Sequence, residues 1–518
     1  MEVDLLTVLL AACGAFAVLL VVVHYVFPQK STLGELAPYA KYKLPAFKHM
    51  AEVLQRFHDY HHWMTELCGQ HDGRTFRINM ITFDVTILQT PELYEDVLKT
   101  QFECFDKGEF MCDILSDMLG NGIFAVDGHQ WLHQRKTASN LFTMRTLRDH
   151  MATTVQQLMP RVHAIFDKAV SAQQPLDLTK LLNRFTMEGF AKIGFGVELM
   201  ALEREEDHPF MAAFDRVQQI TALRFIRPRW FWKTQRWLDM GAEHQLREDI
   251  KVIDTMVLRI IGESLERRQK HTPDVTASAA HDIVSLFLDD ISHDEKREAP
   301  FNPVFLRDIV VNFLIAGRDT TAQALSWFFY ELSSHPEVEK RIRQELNEVW
   351  LSQVDDQTTS YTPTMEQAQQ LTYLEAAVRE TLRLHPSVPE NFKQARHDTM
   401  LVDGTFVPAG SHVALPNYAL GRMPHIWGPD ATTFRPERWL DPTSPDKLIK
   451  VSAFKFNAFY AGPRMCLGIN LALMEMKMFI ASVLSTFHLE IVPDQDVTYE
   501  LSLTLPMKNA LVTQIQAL

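Results

Sequence analysis

The chain has 518 residues, more than a single-core domain usually holds, and its composition of 46% hydrophobic and 22% charged residues excludes a disordered chain. A formal net charge of −14 excludes a broad basic surface, so we expect no nucleic acid among its partners. The five cysteines form no CxxC pair and no Cys/His cluster, which argues against a disulfide framework and against structural zinc.

The N-terminus is apolar and uncharged from Leu5 to Phe27. At about 1.5 Å per residue, this stretch can cross a hydrocarbon core of about 30 Å. The only charged side chains that precede it are acidic and Lys30 follows it, so the positive-inside rule leaves the rest of the chain in the cytosol. A cleaved signal peptide is the alternative, but it would need positive charge before the apolar stretch. We expect a membrane anchor at 1–30 and one large catalytic domain at 31–518.

Helical periodicity dominates the rest of the chain. A long buried helix is predicted to begin near Pro303, and the next helix is predicted to begin at Pro336. A further helix is predicted over Met365 to Leu384, where a proline follows.

Strand signals are fewer. Residues 75–89 alternate between apolar and polar and are rich in β-branched side chains, which predicts a strand. Within 400–415 the dipeptide Asp403-Gly404 predicts a hairpin turn. The predicted fold class is therefore mainly α with a small β portion.

The motif "WLHQR" places Trp131 and Arg135 one helical turn apart. Both side chains are hydrogen-bond donors on one helix face, which suits an anionic group. An ordinary amphipathic helix would show the same spacing, so this motif alone decides nothing.

The motif "AGRDTT" lies inside the predicted long helix. Glycine at position 317 costs the helix about 1 kcal/mol relative to alanine, which indicates that something approaches closely there. The hydroxyl of Thr320 can bond the carbonyl of Ala316, and Asp319 beside it could relay protons. Such a group suits oxygen activation over a metal, although buried Thr pairs more often only pack.

The motif "ETLR" sets Glu380 and Arg383 three residues apart, and "FRPERW" adds Arg438. On a surface, such ion pairs contribute little to stability. If the three side chains are buried, we expect a network that fixes the position of a loop rather than one that does chemistry.

The motif "FYAGPRMCLG" holds Cys466 just before a predicted helix. A thiolate is a strong metal ligand, and the first N–H groups of that helix would stabilise its charge. Gly462 and Gly468 remove side chains where the backbone turns or approaches something flat, and Arg464 suits a carboxylate. A flat, metal-containing cofactor with carboxylates, namely haem, fits these features; the alternative is a structural cysteine in a turn.

Taken in this order, the motifs resemble the cytochrome P450 superfamily of haem-thiolate monooxygenases, from about Phe102 to the C-terminus. The resemblance implies the cytochrome P450 fold and haem (heme b) whose iron is bound by Cys466. It also implies roles for further residues: cofactor binding by Trp131, Arg135, Phe459, Arg464 and Gly468; proton and oxygen handling by Asp319 and Thr320; a structural triad of Glu380, Arg383 and Arg438; and a propionate-binding place for Lys393.

Longer phrases around these motifs resemble plant-type fatty-acid ω-hydroxylases. This branch implies insertion of one oxygen atom from O₂ into a C–H bond of a long-chain fatty acid at its ω (terminal) carbon. Ala316 stands where the animal branch often has a haem-linking Glu, so we expect non-covalent haem. Phenylalanines lie where the variable substrate loop of the family and its neighbours fall, with core packing as the alternative: Phe102, Phe105, Phe110 and Phe124.

The resemblance also implies partners. The chain has no flavin module, so electrons from NADPH would come through a separate NADPH-cytochrome P450 reductase in the endoplasmic reticulum membrane. A local basic docking face is expected from Arg135, Lys136, Arg145 and Arg148, with solvated surface charge as the alternative. The other open functions are a monooxygenase of terpenoids or sterols, a haem-thiolate hydroperoxide isomerase and a non-catalytic haem sensor.

Overall fold

The computed structural model of the protein describes residues 34–41, 48–80, 83–142, 147–204, 208–270, 283–293, 303–353 and 362–518. These residues form two compact units, the first within Met1–Gly108 and Glu390–Pro429 and the second within Glu109–Pro389 and Asp430–Leu518. The predicted membrane anchor at 1–30 lies outside the described residues.

Helices make up most of the described chain, as predicted. Their bounds are α1 (Lys48–Gln55), α2 (Tyr60–His71), α3 (Pro91–Glu95), α4 (Gly108–Leu119), α5 (Gly128–Ser139), α6 (Thr153–Ala172), α7 (Leu178–Phe195), α8 (Pro209–Ile226), α9 (Arg229–Trp237), α10 (Gly241–Lys270), α11 (Ile283–His293), α12 (Pro303–Ser333), α13 (Pro336–Val349), α14 (Met365–Gln370), α15 (Thr372–Leu384), α16 (Asn417–Leu420), α17 (Pro424–Trp427) and α18 (Ile469–Thr486).

The strands are short and belong to small sheets, which confirms the predicted small β portion. Their bounds are β1 (Phe76–Asn79), β2 (Asp84–Ile87), β3 (Phe105–Asp106), β4 (Leu176–Asp177), β5 (Asn391–Ala395), β6 (Thr399–Met400), β7 (Phe406–Val407), β8 (His412–Leu415), β9 (Leu440–Asp441), β10 (Ser444–Leu448), β11 (Phe487–Ile491) and β12 (Val512–Ala517).

The first unit is built on a five-stranded sheet in the order β1-β2-β8-β5-β3. Only the β2–β8 pair of this sheet is parallel. The strand predicted at 75–89 is therefore an antiparallel pair, β1 and β2. In the same unit, β6 and β7 pair around a turn that holds Gly404 at φ +85°, which confirms the predicted hairpin.

The second unit contains the long helix α12, which packs most extensively against α7 and also against α10, α15 and α18. It begins at Pro303, as predicted, and 22 of its 31 residues are buried. Because most of its residues are apolar and buried, this helix belongs to the core. The same unit holds the pair β9–β10 and a three-stranded sheet in the order β11-β12-β4. Among the described helices, only α18 is long and apolar enough to span a bilayer, and 67% of it is buried inside the protein.

The single helix predicted from Met365 to Leu384 is wrong, because the chain breaks at Leu371 (φ −72°, ψ 79°). The second helix, α15, starts there with its first backbone N–H groups bonded to Glu345 of α13. The N–H of Tyr373 donates to this carboxylate at 2.6 Å and that of Leu374 at 2.9 Å. The cap comes from a distant helix, so no local pattern could have predicted the break.

Gly317 is explained by the helix packed against it. A Cβ built on Gly317 would collide with the ring of Phe190, which lies on α7 and is 4% exposed. The close approach that the sequence indicated at this glycine is therefore contact between α12 and α7.

We predict that Gly317→Ala destabilises the protein by about 1–3 kcal/mol, because overpacking of the α7–α12 contact outweighs the gain in helix propensity. Urea unfolding of the two proteins measures the difference. Gly262→Ala on α10 is the matched control, since no atom lies within 4 Å of its added Cβ; it should stabilise by about 0.5–1 kcal/mol. In a Phe190→Ala background, Gly317→Ala should destabilise the protein less than it does in the wild-type protein. An equal cost of Gly317→Ala in the two backgrounds would contradict this explanation.

Candidate active site

Cys466 lies in a loop that is stabilised by a hydrogen bond between two of its own backbone groups. Its N–H donates to the carbonyl of Phe459 at 2.9 Å. Gly462 (φ +67°) and Tyr460 (φ +62°) both adopt left-handed backbone conformations. Such a conformation costs a non-glycine residue energy, and residues of this kind cluster at functional sites. Tyr460 therefore has a strained backbone conformation in the loop that carries Cys466.

Cys466 has an open surface, although protein atoms lie on other sides of its sulfur. Among the described cysteines, only Cys466 is exposed. Burial raises the pKa of the Cys466 thiol, while the N–H of Gly468 and the charge of Arg135 act to lower it. The N–H contribution agrees with the expected effect of the following helix, but burial is the larger effect. A bound metal ion deprotonates a coordinating thiol, so this donor suits a metal-containing group.

Trp131, Arg135 and Arg464 meet beside the cysteine loop. Arg135 donates to the carbonyl of Met465 at 2.7 Å. The Cζ atoms of Arg464 and Arg135 lie 4.3 and 5.9 Å from the centre of the Trp131 ring. Arg464 also bonds the carboxylate of Asp127. The structure therefore brings together one thiol and two guanidinium groups, a donor set that fits a haem with its iron and its carboxylates.

The middle of α12 has one open patch. Every residue from Leu306 to Phe329 is buried except Ala316, Gly317 and Thr320, which are half-buried. The hydroxyl of Thr320 donates to the carbonyl of Ala316 at 2.7 Å, the bond that the sequence suggested. The helix thus presents a small, side-chain-poor surface with a single hydroxyl.

Asp319 is 2% exposed and does not face solvent directly. Its Oδ2 accepts a hydrogen bond from Gln218 at 2.8 Å, and its Oδ1 lies 2.9 Å from Nη1 of Arg318. Burial raises the pKa of Asp319 to about 6, against the lowering effect of Arg318. Sequence reasoning missed both partners. The charged residue Arg318 in a helix predicted to be buried indicated that a partner of opposite charge should lie nearby. No feature of the sequence indicated that Gln218 contacts Asp319.

Glu380, Arg383 and Arg438 form a buried network. Arg383 donates to the two carboxylate oxygens of Glu380 at 2.8 and 2.7 Å, and Arg438 lies 3.2 Å from the same carboxylate. The indole of Trp439 also donates to Glu380 at 2.9 Å, while Arg383 bonds the carbonyl of Ala431. The side chains of the three are 0%, 0% and 8% exposed. The network fastens the segment that leads to the cysteine loop.

Lys393 belongs to the first unit, on β5. It is 2% exposed, and its Nζ lies 5.7 Å from the ring centre of Phe102. Its propionate-binding role stays a prediction.

The remaining phenylalanines differ in burial. Phe105 is a core residue at 2% exposure, Phe110 packs edge-on against Phe225 with ring centres 6.3 Å apart, and Phe124 is 39% exposed. Core packing therefore describes Phe105.

The expected basic docking face is only partly described. Lys136 is exposed on α5, and Arg135 on the same helix is half-buried against the cysteine loop. Arg145 and the side chain of Arg148 lie outside the described residues.

Comparison with known proteins identifies relatives along nearly the whole chain. The family model "Cytochrome P450" matches residues 38–514. Cytochrome P450 86B1 of Arabidopsis thaliana is 37% identical over 466 residues, which cover 88% of this chain and 81% of the relative. Cytochrome P450 704B1 of the same plant is 35% identical over 489 residues (89% and 91%), and cytochrome P450 CYP94D108 of Paris polyphylla is 33% identical over 470 residues (89% and 88%).

We predict that Glu380→Gln destabilises the protein by about 3–5 kcal/mol, because it leaves two buried guanidinium groups without their carboxylate. Urea unfolding measures the loss.

The matched control is Glu437→Gln in the same segment. Glu437 is 45% exposed and pairs with the half-exposed Arg341, and a Gln oxygen could still accept the hydrogen bond from Tyr373. Its replacement should therefore change the free energy of unfolding by less than about 1 kcal/mol. Equal effects of the two variants would show that the Glu380 network does not hold this segment.

Proposed function

Because the chain belongs to the cytochrome P450 family and is a monooxygenase of that family, we propose that it hydroxylates long-chain fatty acids at the ω (terminal) carbon. The overall reaction is RH + O₂ + NADPH + H⁺ → ROH + H₂O + NADP⁺, with the two electrons delivered by a separate NADPH-cytochrome P450 reductase. The haem, when bound, supplies the activation of O₂, which its thiolate ligand favours. The protein supplies binding, orientation and protons.

The residues that would hold the haem are those that surround the open thiol. Cys466 would bind the iron through its sulfur, and Gly468 adds no side chain beside this sulfur, since its built Cβ would lie 3.9 Å from Sγ. The guanidinium groups of Arg135 and Arg464, with the indole of Trp131, would bind the two propionates.

One observation carries the substrate proposal: the phrase-length similarity around the motifs to plant-type fatty-acid ω-hydroxylases. The relatives found by comparison are plant proteins as well, which supports the same branch. A terminal C–H bond is stronger than the neighbouring C–H bonds. Attack at the terminal carbon therefore needs a narrow channel with a rigid boundary, which admits the fatty-acid chain end-on.

A set of hydrogen bonds beside Thr320 supports the proposal of such a boundary. The hydroxyl of Ser387 donates to the carbonyl of Thr320 at 2.8 Å, and the N–H of Leu505 donates to the carbonyl of Ser387 at 3.1 Å. Leu505 is also tied to α12, since its N–H donates to Gln323 at 3.1 Å and its carbonyl accepts from Trp327 at 2.9 Å. These hydrogen bonds, which link Ser387 and Leu505 to α12 and are called the clamp below, support a rigid boundary to the proposed substrate channel.

We predict that saturated fatty acids from dodecanoic to octadecanoic acid shift the Soret band of the purified holoenzyme and give ω-hydroxy acids with reductase and NADPH. Mass spectrometry locates the hydroxyl group. Purely mid-chain products would remove the ω proposal, and turnover of terpenoids or sterols alone would favour that runner-up. Turnover of hydroperoxides without reductase would favour an isomerase, and no turnover at all would favour a sensor.

We predict that Gln323→Ala lowers the ratio of ω to adjacent-carbon product by several fold, because it loosens Leu505 from α12. Product analysis by mass spectrometry measures the ratio. Ser333→Ala on the exposed end of the same helix is the control and should leave the ratio unchanged. An unchanged ratio in Gln323→Ala would argue against the clamp as part of the channel.

We further propose that residues 1–30 anchor the protein in the endoplasmic reticulum membrane with the catalytic part in the cytosol. The uncharged stretch from Leu5 to Phe27 and the lysine that follows support this orientation. Protease treatment of sealed microsomes tests it, since a cytosolic domain should be degraded without detergent.

A further inference from the structure

Two helices of the second unit, α8 and α12, share a polar cluster. Asp215 and Gln218 lie three residues apart on α8, on one face of that helix. Arg318 and Asp319 are neighbours on α12. The cluster therefore links α12, which carries the predicted proton donor Asp319, to α8, for which the sequence predicted no role.

The four side chains form a chain of contacts from solvent inward. Nη1 of Arg318 lies 2.7 Å from Oδ1 of Asp215 and 2.9 Å from Oδ1 of Asp319. The amide of Gln218 donates to the other oxygen of Asp319, Oδ2, at 2.8 Å. Asp215 has a side chain that is 51% exposed, whereas those of Arg318 and Asp319 are 1% and 3% exposed.

Gln218 is suited to both protonation states of Asp319. A glutamine amide carries donors on nitrogen and an acceptor on oxygen. Its Nε2 now donates to the carboxylate, and its buried Oε1 has no hydrogen-bond partner among the described residues. A rotation of the amide would let Oε1 accept the proton of a neutral Asp319. A lysine or arginine at this place could serve the charged form only.

We propose that Gln218 and Asp215 are positioning residues that hold Asp319 in place while it delivers protons to the reaction. Each turnover consumes two protons, and for each of them the neutral acid would release its proton toward the oxygen atom that becomes water. The carboxylate that remains is balanced by Arg318 and bonded by Gln218, and a solvent proton then restores the acid. The proposal rests on the monooxygenase reaction and not on which substrate is oxidised.

The charges around Asp319 support this cycle. Burial raises the pKa of Asp319 to about 6; Arg318 lowers it, Asp215 raises it and Gln218 lowers it. Arg318 and Asp215 are the charged groups that act on Asp319 from α12 and α8 in the described chain. An acid with such a pKa is present in both forms near neutral pH, which suits a group that gives and regains protons.

Two substitutions should shift the pKa of Asp319 in opposite directions. Gln218→Leu removes a donor to the carboxylate, so the pKa should rise; Asp215→Asn removes a nearby negative charge, so it should fall, each by about one unit. Difference infrared spectroscopy of the resting holoenzyme over a pH series measures the protonated carboxyl band, with Asp319→Asn as the subtraction reference. This titration requires no substrate, so its result is independent of the fatty-acid proposal.

Turnover supplies the second measurement. In Gln218→Leu, a misplaced Asp319 should lower the product formed per NADPH by several fold and raise hydrogen peroxide to match. Gln219→Leu is the matched control on α8, because it makes the same change at the neighbouring, half-buried position, which contributes no contact to the cluster; neither readout should change.

Shifts of the same sign, or no shift in either variant, would overturn the proposal. Unchanged product per NADPH in Gln218→Leu would overturn it as well. If Gln218→Leu does not fold, the half-exposed Asp215→Asn decides alone, and the absence of a downward shift there rejects the proposal.

Discussion

The neutralisation of buried charge at Glu380 is the constraint on which the active-site half of the structure depends. Two guanidinium groups, an indole N–H and the backbone N–H of Arg435 all converge on this one carboxylate. Arg383 and Arg438 also bond backbone carbonyls between Asp430 and Thr433. Because a buried ion costs several kcal/mol unless it is fully compensated, this segment has few alternative conformations. The network therefore holds the segment from Asp430 to Trp439, which precedes the cysteine loop in the chain.

The same logic explains why the two titratable groups of the site differ from ordinary surface groups. Burial raises the pKa of the Cys466 thiol and also that of Asp319. For the thiol, the N–H of Gly468 and the charge of Arg135 only partly offset burial, so a metal cation is what would make it a thiolate. For Asp319, the charge of Arg318 lowers the pKa that burial has raised, so the neutral and the charged carboxyl both occur. The surroundings of Cys466 thus suit a sulfur that stays anionic once a metal is bound. The surroundings of Asp319 suit a carboxyl group that alternates between its neutral and charged forms.

Sequence reasoning succeeded where the information was local. The start of α12 at Pro303 and the hairpin at Gly404 follow from helix and turn preferences of neighbouring residues. It failed at Leu371, because the cap on α15 is supplied by Glu345 of another helix. The motifs brought Cys466 and its cationic neighbours into one candidate site, yet Gln218 carried no pattern. Its role appears only when α8 lies against α12.

Gly317 shows how one residue can satisfy two requirements. Its missing side chain admits the ring of Phe190, and its own backbone belongs to the half-buried patch with Ala316 and Thr320. Any larger residue would push α12 off α7, and the patch would move with the helix. The position of Thr320 is therefore set by the packing of Gly317 against Phe190 and by Ser387, whose hydroxyl donates to the carbonyl of Thr320. Tertiary contacts, rather than the helix alone, orient the hydroxyl side of the site.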